Sequence, residues 1–329
     1  MAAALPKPEL LERVLRGVDA SDAQALIIRG THPFSLRVFR NDSDRIDACV
    51  FIWNITHGGG SARPEHEFRI QLTGVVPSTR PGEHTFLLGW HEGWGVFVAF
   101  DMRRHENQSS SSPSIQVPRE TLLGAHTHAF ATHMRGNRET VVAFRPEYLV
   151  DYMLAADGLH GASATATARP LLNNIDTADE AEIEAITDQK RRVIVASIKR
   201  RFRKHDFRAR VLGAYAHRCA MCGMQLRLVE AAHILPVPAE RSTDETSNGV
   251  ALCATHHKAF DANLVSFDER YEICISDSRV RTLAEQRLAD RLKEFRDSLL
   301  PALVLPADRR DYPAAKYITE SRRVRRWVS

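Results

Sequence analysis

From Pro6 to about Asp157 the apolar residues come in short runs, several of them alternating with polar ones: SLRVFR, DACVFIWNI, EFRIQLTGV, HTFLLGW, GVFVAF and TVVAF. These runs are rich in Val, Phe and Ile and are separated by Gly, Pro, Ser and His, so they predict strands. Two stretches with helical spacing, PELLERVLRGV and EYLVDYMLAA, flank them, and LHGASATATARP, rich in Gly, Ala and Thr, reads as a linker. Beyond it, ADEAEIEAITDQKRRVIVASIKRRFRKHDFRARVLGAYAHR predicts one or two helices, acidic at the start and basic later, as helix polarity favours. LRLVEAAHILPV then predicts a strand, STDETSNG a loop, and the residues from Val250 a helix. TLAEQRLADRLKEFRDSLL predicts an amphipathic helix ahead of a basic tail, SRRVRRWVS.

The pattern implies an α+β chain in three parts: a β-rich, mixed α/β module over 1–160, a linker over 161–180, and a second domain over 181–329. A length of 329 residues agrees with two domains at roughly 150 residues each. The hydrophobic fraction of 43% and charged fraction of 26% exclude a disordered or fibrous chain. Glu9 and Glu12 interrupt the start where a signal peptide needs an apolar run, and no stretch of about 18 apolar residues occurs, so a cytoplasmic protein with no membrane partner is expected.

Five cysteines are an odd number for a disulfide framework, and Cys219, Cys222 and Cys253 share one segment. Cys219-Ala-Met-Cys222 and Cys253-Ala-Thr-His256 offer four ligands in two knuckles, the arrangement of a tetrahedral structural zinc site. The adjacent His257 has Asp261 four residues on, one turn along the same helix face, where imidazole and carboxylate suit a catalytic divalent cation. Upstream, His233 lies on the expected strand and Asn248 follows it, giving the order His, Asn, His.

With these residues the segment Phe207 to Ser276 resembles the HNH, or ββα-metal, endonucleases, in the branch found among bacterial restriction enzymes. The matching residues are His233, Asn248 and His257, with the CxxC and CxxH knuckles around them. The resemblance implies that His233 is the general base, that Asn248 orients it by accepting a hydrogen bond, and that His257 and Asp261 hold Mg²⁺ or another divalent cation. Where many relatives carry a further ligand just before the first histidine, this chain has Ala232. Because residue 230 shares a strand face with residue 232, Glu230 is a candidate replacement.

The net charge of +4 attracts nucleic acid weakly, but Lys190 to Arg210 holds ten Lys or Arg and one acid. Within that block Lys199, Arg200, Arg201, Arg203, Lys204 and Arg208 are candidate contacts to the phosphates of double-stranded DNA. In the first module Trp90 and Trp94, set among glycines, are a candidate pocket for a flipped, modified base, and RRHENQSSSSPSIQV a candidate polar contact loop. The expected function is a restriction-type, metal-dependent endodeoxyribonuclease serving in defence, with 1–160 as a DNA-recognition module that directs it to modified-base DNA, and double-strand cleavage from one active site per chain would favour a homodimer. Two other functions fit the same features: a non-catalytic, zinc-stabilised DNA-binding protein, and a nuclease whose first module senses a ligand or partner.

Overall fold

Strand β3 explains the architecture of the first part of the chain. In Arg45–Asn54 the residues from Ala48 to Trp53 are all buried, with Ala48, Val50 and Ile52 on one side and Cys49, Phe51 and Trp53 on the other. Each set belongs to a separate apolar core, so the sheet is covered on both faces and its central strands read as continuous apolar runs. The computed structural model describes residues 4–40, 44–57, 66–106, 113–162 and 168–327.

The elements up to the end of the first module are α1 (Lys7–Ala20), β1 (Gln24–Arg29), β2 (Phe34–Phe39), β3, β4 (Glu67–Gln71), β5 (His84–His91), β6 (Val96–Phe100) and β7 (Ser114–Pro118). Then come α2 (Arg119–His128), β8 (Phe130–Met134), β9 (Thr140–Phe144) and α3 (Leu149–Ala162). Seven strands form one sheet in the order β1-β2-β3-β5-β6-β9-β8, in which only β3 and β5 pair in parallel, while β4 and β7 form a separate antiparallel pair. Every predicted strand is present; β1, β7 and β8 are additional. β1 escapes the pattern because it lies at the sheet edge with Leu26, Ile27 and Ile28 exposed, so no alternation marks it.

The expected linker, 161–180, contains α4 (Ala168–Asn173), and α5 (Glu180–Glu184) follows it; residues 163–167 lie outside the described residues. Leu172, Ile175, Ala178, Ile183 and Ile186 are buried in the first core, so this segment is part of the first unit. The chain divides into compact units within α6 (Gln189–Ala214), between Phe202 and Arg203, rather than near residue 181.

In the second unit β10 (Val229–His233) pairs with β11 (Gly249–Cys253), and α7 (Ala254–Asp261) follows directly. The helix expected from Val250 begins only at Ala254, because GVALC is buried along its whole length and pairs with β10. β12 (Val265–Phe267) and β13 (Ile273–Ile275) form a second hairpin, followed by α8 (Asp277–Glu285), α9 (Leu292–Asp297) and α10 (Ala315–Val324). The long amphipathic helix expected around residue 288 is thus two helices, with Arg287 and Arg291 between them at φ 58° and 62°. Among the described residues no helix is long and apolar enough to cross a membrane.

Candidate active site and metal centre

The two knuckles close on one another. The Cys219 amide donates to the carbonyl of Met224 and the Gly223 amide to that of Cys219, a tight turn in which Gly223 takes φ 76°. β11 ends at Cys253, whose register partner is Val229, and α7 presents His256 one turn later. The ligand atoms of Cys219, Cys222, Cys253 and His256 all lie within 4.8 Å of one another. His256 Nδ1 is 3.5 Å from Cys219 Sγ and 3.3 Å from Cys253 Sγ, and Cys222 Sγ is 4.0 Å from Cys253 Sγ. Such spans fit a tetrahedral ion with sulfur at about 2.3 Å and nitrogen at about 2.0 Å. Burial opposes a thiolate at Cys219, yet hydrogen bonds from His256 and nearby backbone bring its pKa down to about 6; Cys222 is pushed up to about 12, chiefly by burial. His256 Nε2 is 3.3 Å from Ser298 Oγ, and Phe295 of α9 packs edge-on against the ring, so the far side of the imidazole is also fixed. This group can hold a metal such as zinc.

His257 faces a different set of partners. Its Nδ1 is 2.6 Å from Glu230 Oε2, and its Nε2 is 3.6 Å from Asp261 Oδ2. The two carboxylates therefore take opposite ring nitrogens and do not converge on one point, as three ligands of a single cation must. His257 Nε2 and Asp261 Oδ2 face one another at 3.6 Å on one helix face, whereas Glu230 is placed to orient the ring from behind. Ala232, expected to share a face with Glu230, is 2% exposed and belongs to the core, while Glu230 is exposed. A ligand side chain at position 232 would point into that core, so its absence does not strip the His257 site. Arg325, half-buried over the Phe260 ring, reaches the other oxygen of Asp261 at 3.5 Å.

At the loop end of the hairpin, His233 pairs in register with Gly249. Asn248 is fully buried and does not orient it: its Oδ1 accepts from the Leu235 amide at 2.9 Å and its Nδ2 donates to the Thr243 carbonyl at 2.8 Å. Asn248 thereby ties both ends of the loop between β10 and β11. The partner of His233 is instead Asp244, with Nε2 and Oδ1 3.0 Å apart. Arg203 of α6 holds Asp244 Oδ2 at 2.8 Å, and Phe207, one turn further on, stacks on the His233 ring with centroids 3.8 Å apart at 10°. Burial raises the Asp244 carboxyl, but hydrogen bonds from His233 and Arg203 outweigh it and leave the pKa below the ordinary aspartate range. Nothing in the local spacing marks Asp244, since an acid in a polar loop looks solvated until the loop is folded.

The basic block divides by role. Lys199 donates to the carbonyls of Ile175 and Asp176, and Arg201 bonds the Ser21 carbonyl and Asp151, so these two side chains are engaged within the first unit and do not form a DNA-facing surface. Arg203 is exposed and paired with Asp244, and Arg200, Lys204 and Arg208 are exposed as well. Trp90 is core: it is 5% exposed, lies beside Phe97, and donates to Glu92 at 2.5 Å. Trp94, half-buried, stacks on His91 and meets the edge of Phe68. Neither lines the cavity of about 990 Å³ in the first unit, whose walls include Phe86, Phe100, Met102, Tyr152 and His160. Residues 107–112 of the expected contact loop lie outside the described residues.

A β-hairpin running into a helix, with histidine on its first strand, asparagine at its turn and histidine on the helix, is the arrangement that the resemblance to ββα-metal nucleases implies. Residues 219–268 match the family model described as HNH endonuclease, so the second unit carries an HNH endonuclease domain. Residues 46–153 match the model described as Methylase-associated X1. Among solved structures, a "Modification dependent TagI restriction endonuclease" aligns at 11% identity over 83% of this chain and 80% of that one, with a TM-score of 0.30, too low to carry an argument. No curated protein matches the chain.

Proposed function

We propose that this protein is a metal-dependent DNA endonuclease of restriction type whose first unit directs cleavage to DNA carrying modified bases. The observation that supports it most is the separation of roles at the adjacent histidines: His256 turns into the thiol cluster and His257 towards Glu230 and Asp261. Zinc is the metal that three thiols and one imidazole favour, and its part is to hold the knuckles together.

In the reaction, His233 accepts a proton from water, the oxygen of that water bonds to phosphorus, and the bond to the 3′ oxygen breaks. The leaving oxygen takes a proton from solvent, and His233 returns its own to solvent. His257 and Asp261 would hold the divalent cation, which when bound would supply charge neutralisation at the phosphate. Arg200, Lys204 and Arg208 contact backbone phosphates, which position the duplex without reading its sequence. For the first unit, the support is a family model named for association with methylases, because a nuclease acting beside base methylation must tell modified from unmodified DNA. The 990 Å³ cavity, with its aromatic walls, has room in that unit for an extruded base.

The test compares cleavage of unmodified, methylated and hydroxymethylated DNA with Mg²⁺, Mn²⁺ or Ni²⁺. Faster cutting of one modified substrate is expected. Equal rates on all three would remove the modification preference, and no cutting of any would remove the nuclease.

A further inference from the structure

We propose that Asp244 is the positioning residue of the general base, fixing His233 as the tautomer that carries its proton on Nε2 and leaves Nδ1 open to water. The proposal rests on the nuclease reading for its catalytic meaning, but its structural content is separate. The Asp244 carboxylate can only accept hydrogen bonds, so the contact of 3.0 Å requires a proton on His233 Nε2. In a neutral imidazole the other nitrogen then holds the lone pair, and among the described residues His233 Nδ1 has no hydrogen-bond partner.

Three further contacts fix the pair. Arg203 holds the second carboxylate oxygen at 2.8 Å, so Asp244 cannot rotate away from the ring without losing an ion pair. Phe207 stacks on the imidazole and sets its plane. Arg210 donates to the Asp244 backbone carbonyl at 2.7 Å and to Thr246 Oγ1 at 2.7 Å, anchoring the loop itself. Arg203, Phe207 and Arg210 recur at three- and four-residue steps on α6, so one helix face delivers all three. Asn248, the residue that the motif suggests for this task, is used within the loop, on the backbone of Leu235 and Thr243 and the hydroxyl of Ser242.

Asp244→Asn keeps the shape and reverses the tautomer. Its carbonyl oxygen is held by Arg203, its amide nitrogen turns to His233 Nε2 as a donor, and the ring proton moves to Nδ1, the position that must accept from water. The test is ¹H–¹⁵N NMR of the full chain with labelled histidine, above the pH at which imidazole is protonated, with the His233 signal assigned by its loss in His233→Gln. Single-turnover cleavage is measured alongside. Expected are the Nε2–H pattern in the wild type, the Nδ1–H pattern in Asp244→Asn, and a cleavage rate constant lower by about 100-fold with DNA affinity unchanged. A wild-type His233 in the Nδ1–H form, or an Asp244→Asn variant with unchanged tautomer and rate, overturns the proposal. A wild type that cuts no DNA defeats the nuclease reading, while the NMR pattern still decides whether Asp244 positions His233.

Discussion

At the residue scale, the adjacent histidines show how much local spacing can carry. Cys253 and His256 sit three apart, His257 and Asp261 four apart, and both spacings survive folding because they lie within one strand end and one helix. Asp244 and Arg203 could not be found that way, since their contact joins a loop to a helix 41 positions away in sequence. Buried charge in the first unit is equally invisible from sequence. Glu139 has no exposure and is clamped by His105 at 2.7 Å and by Arg135. Burial pushes its carboxyl up, but these two partners outweigh it and hold the pKa below the ordinary range. A depressed carboxylate contributes stability that is present above the unfolded value of about 4.3 and lost as pH falls through the folded value. Glu139→Gln is therefore expected to cost about 3 kcal/mol at neutral pH in urea unfolding, with the difference from wild type shrinking below about pH 4. A variant as stable as wild type at pH 7 would show that the cluster contributes nothing.

At the element scale, the strands buried on both faces, β3, β5, β6 and β9, were legible as dense apolar runs. The segment Gly249–Cys253 was not, because a short run of apolar residues is the same in a buried strand and a buried helix, and only pairing with β10 decides it. The close fit of α6 against this hairpin turns on Gly249. A Cβ there would stand 2.2 Å from Val211 Cγ2 and 3.1 Å from Phe207 Cζ, so the glycine of the SNG sequence is needed for close approach. Gly249→Ala should force α6 outward, destabilise the second unit by about 1 to 3 kcal/mol, and slow cleavage because Phe207 and Arg203 move with the helix. Thermal unfolding and a cleavage time course measure the two effects; normal values of both would show that α6 does not need its close seat. α10 supports the same region from elsewhere in the chain, with Tyr317 Oη 2.6 Å from Thr243 Oγ1 and Ser321 donating to the Ile234 carbonyl at 2.5 Å.

At the scale of the whole molecule, two domains joined by a linker over 161–180 were expected, and the compact units divide between Phe202 and Arg203. Small residues after α3 look like a linker, yet the apolar positions from Leu172 to Ile186 complete the first core, and the compact units part inside α6. The second unit builds its core from short strands and helices around the knuckles, with Cys219, Met221 and Cys253 among its buried residues. Removal of the metal by a strong chelator is thus expected to unfold the second unit and leave the first folded, as two separate transitions in calorimetry. A chelated protein with an unchanged second transition would mean that the cluster does not hold the fold. The central claim is that one residue separates scaffold from catalyst, and the most direct measurement is bound metal and DNA cleavage for His256→Ala and His257→Ala side by side. His256→Ala should lose the tightly held metal and unfold its unit, whereas His257→Ala should keep both metal and fold and cut no DNA. A His257→Ala protein that cuts as fast as the wild type would contradict the account.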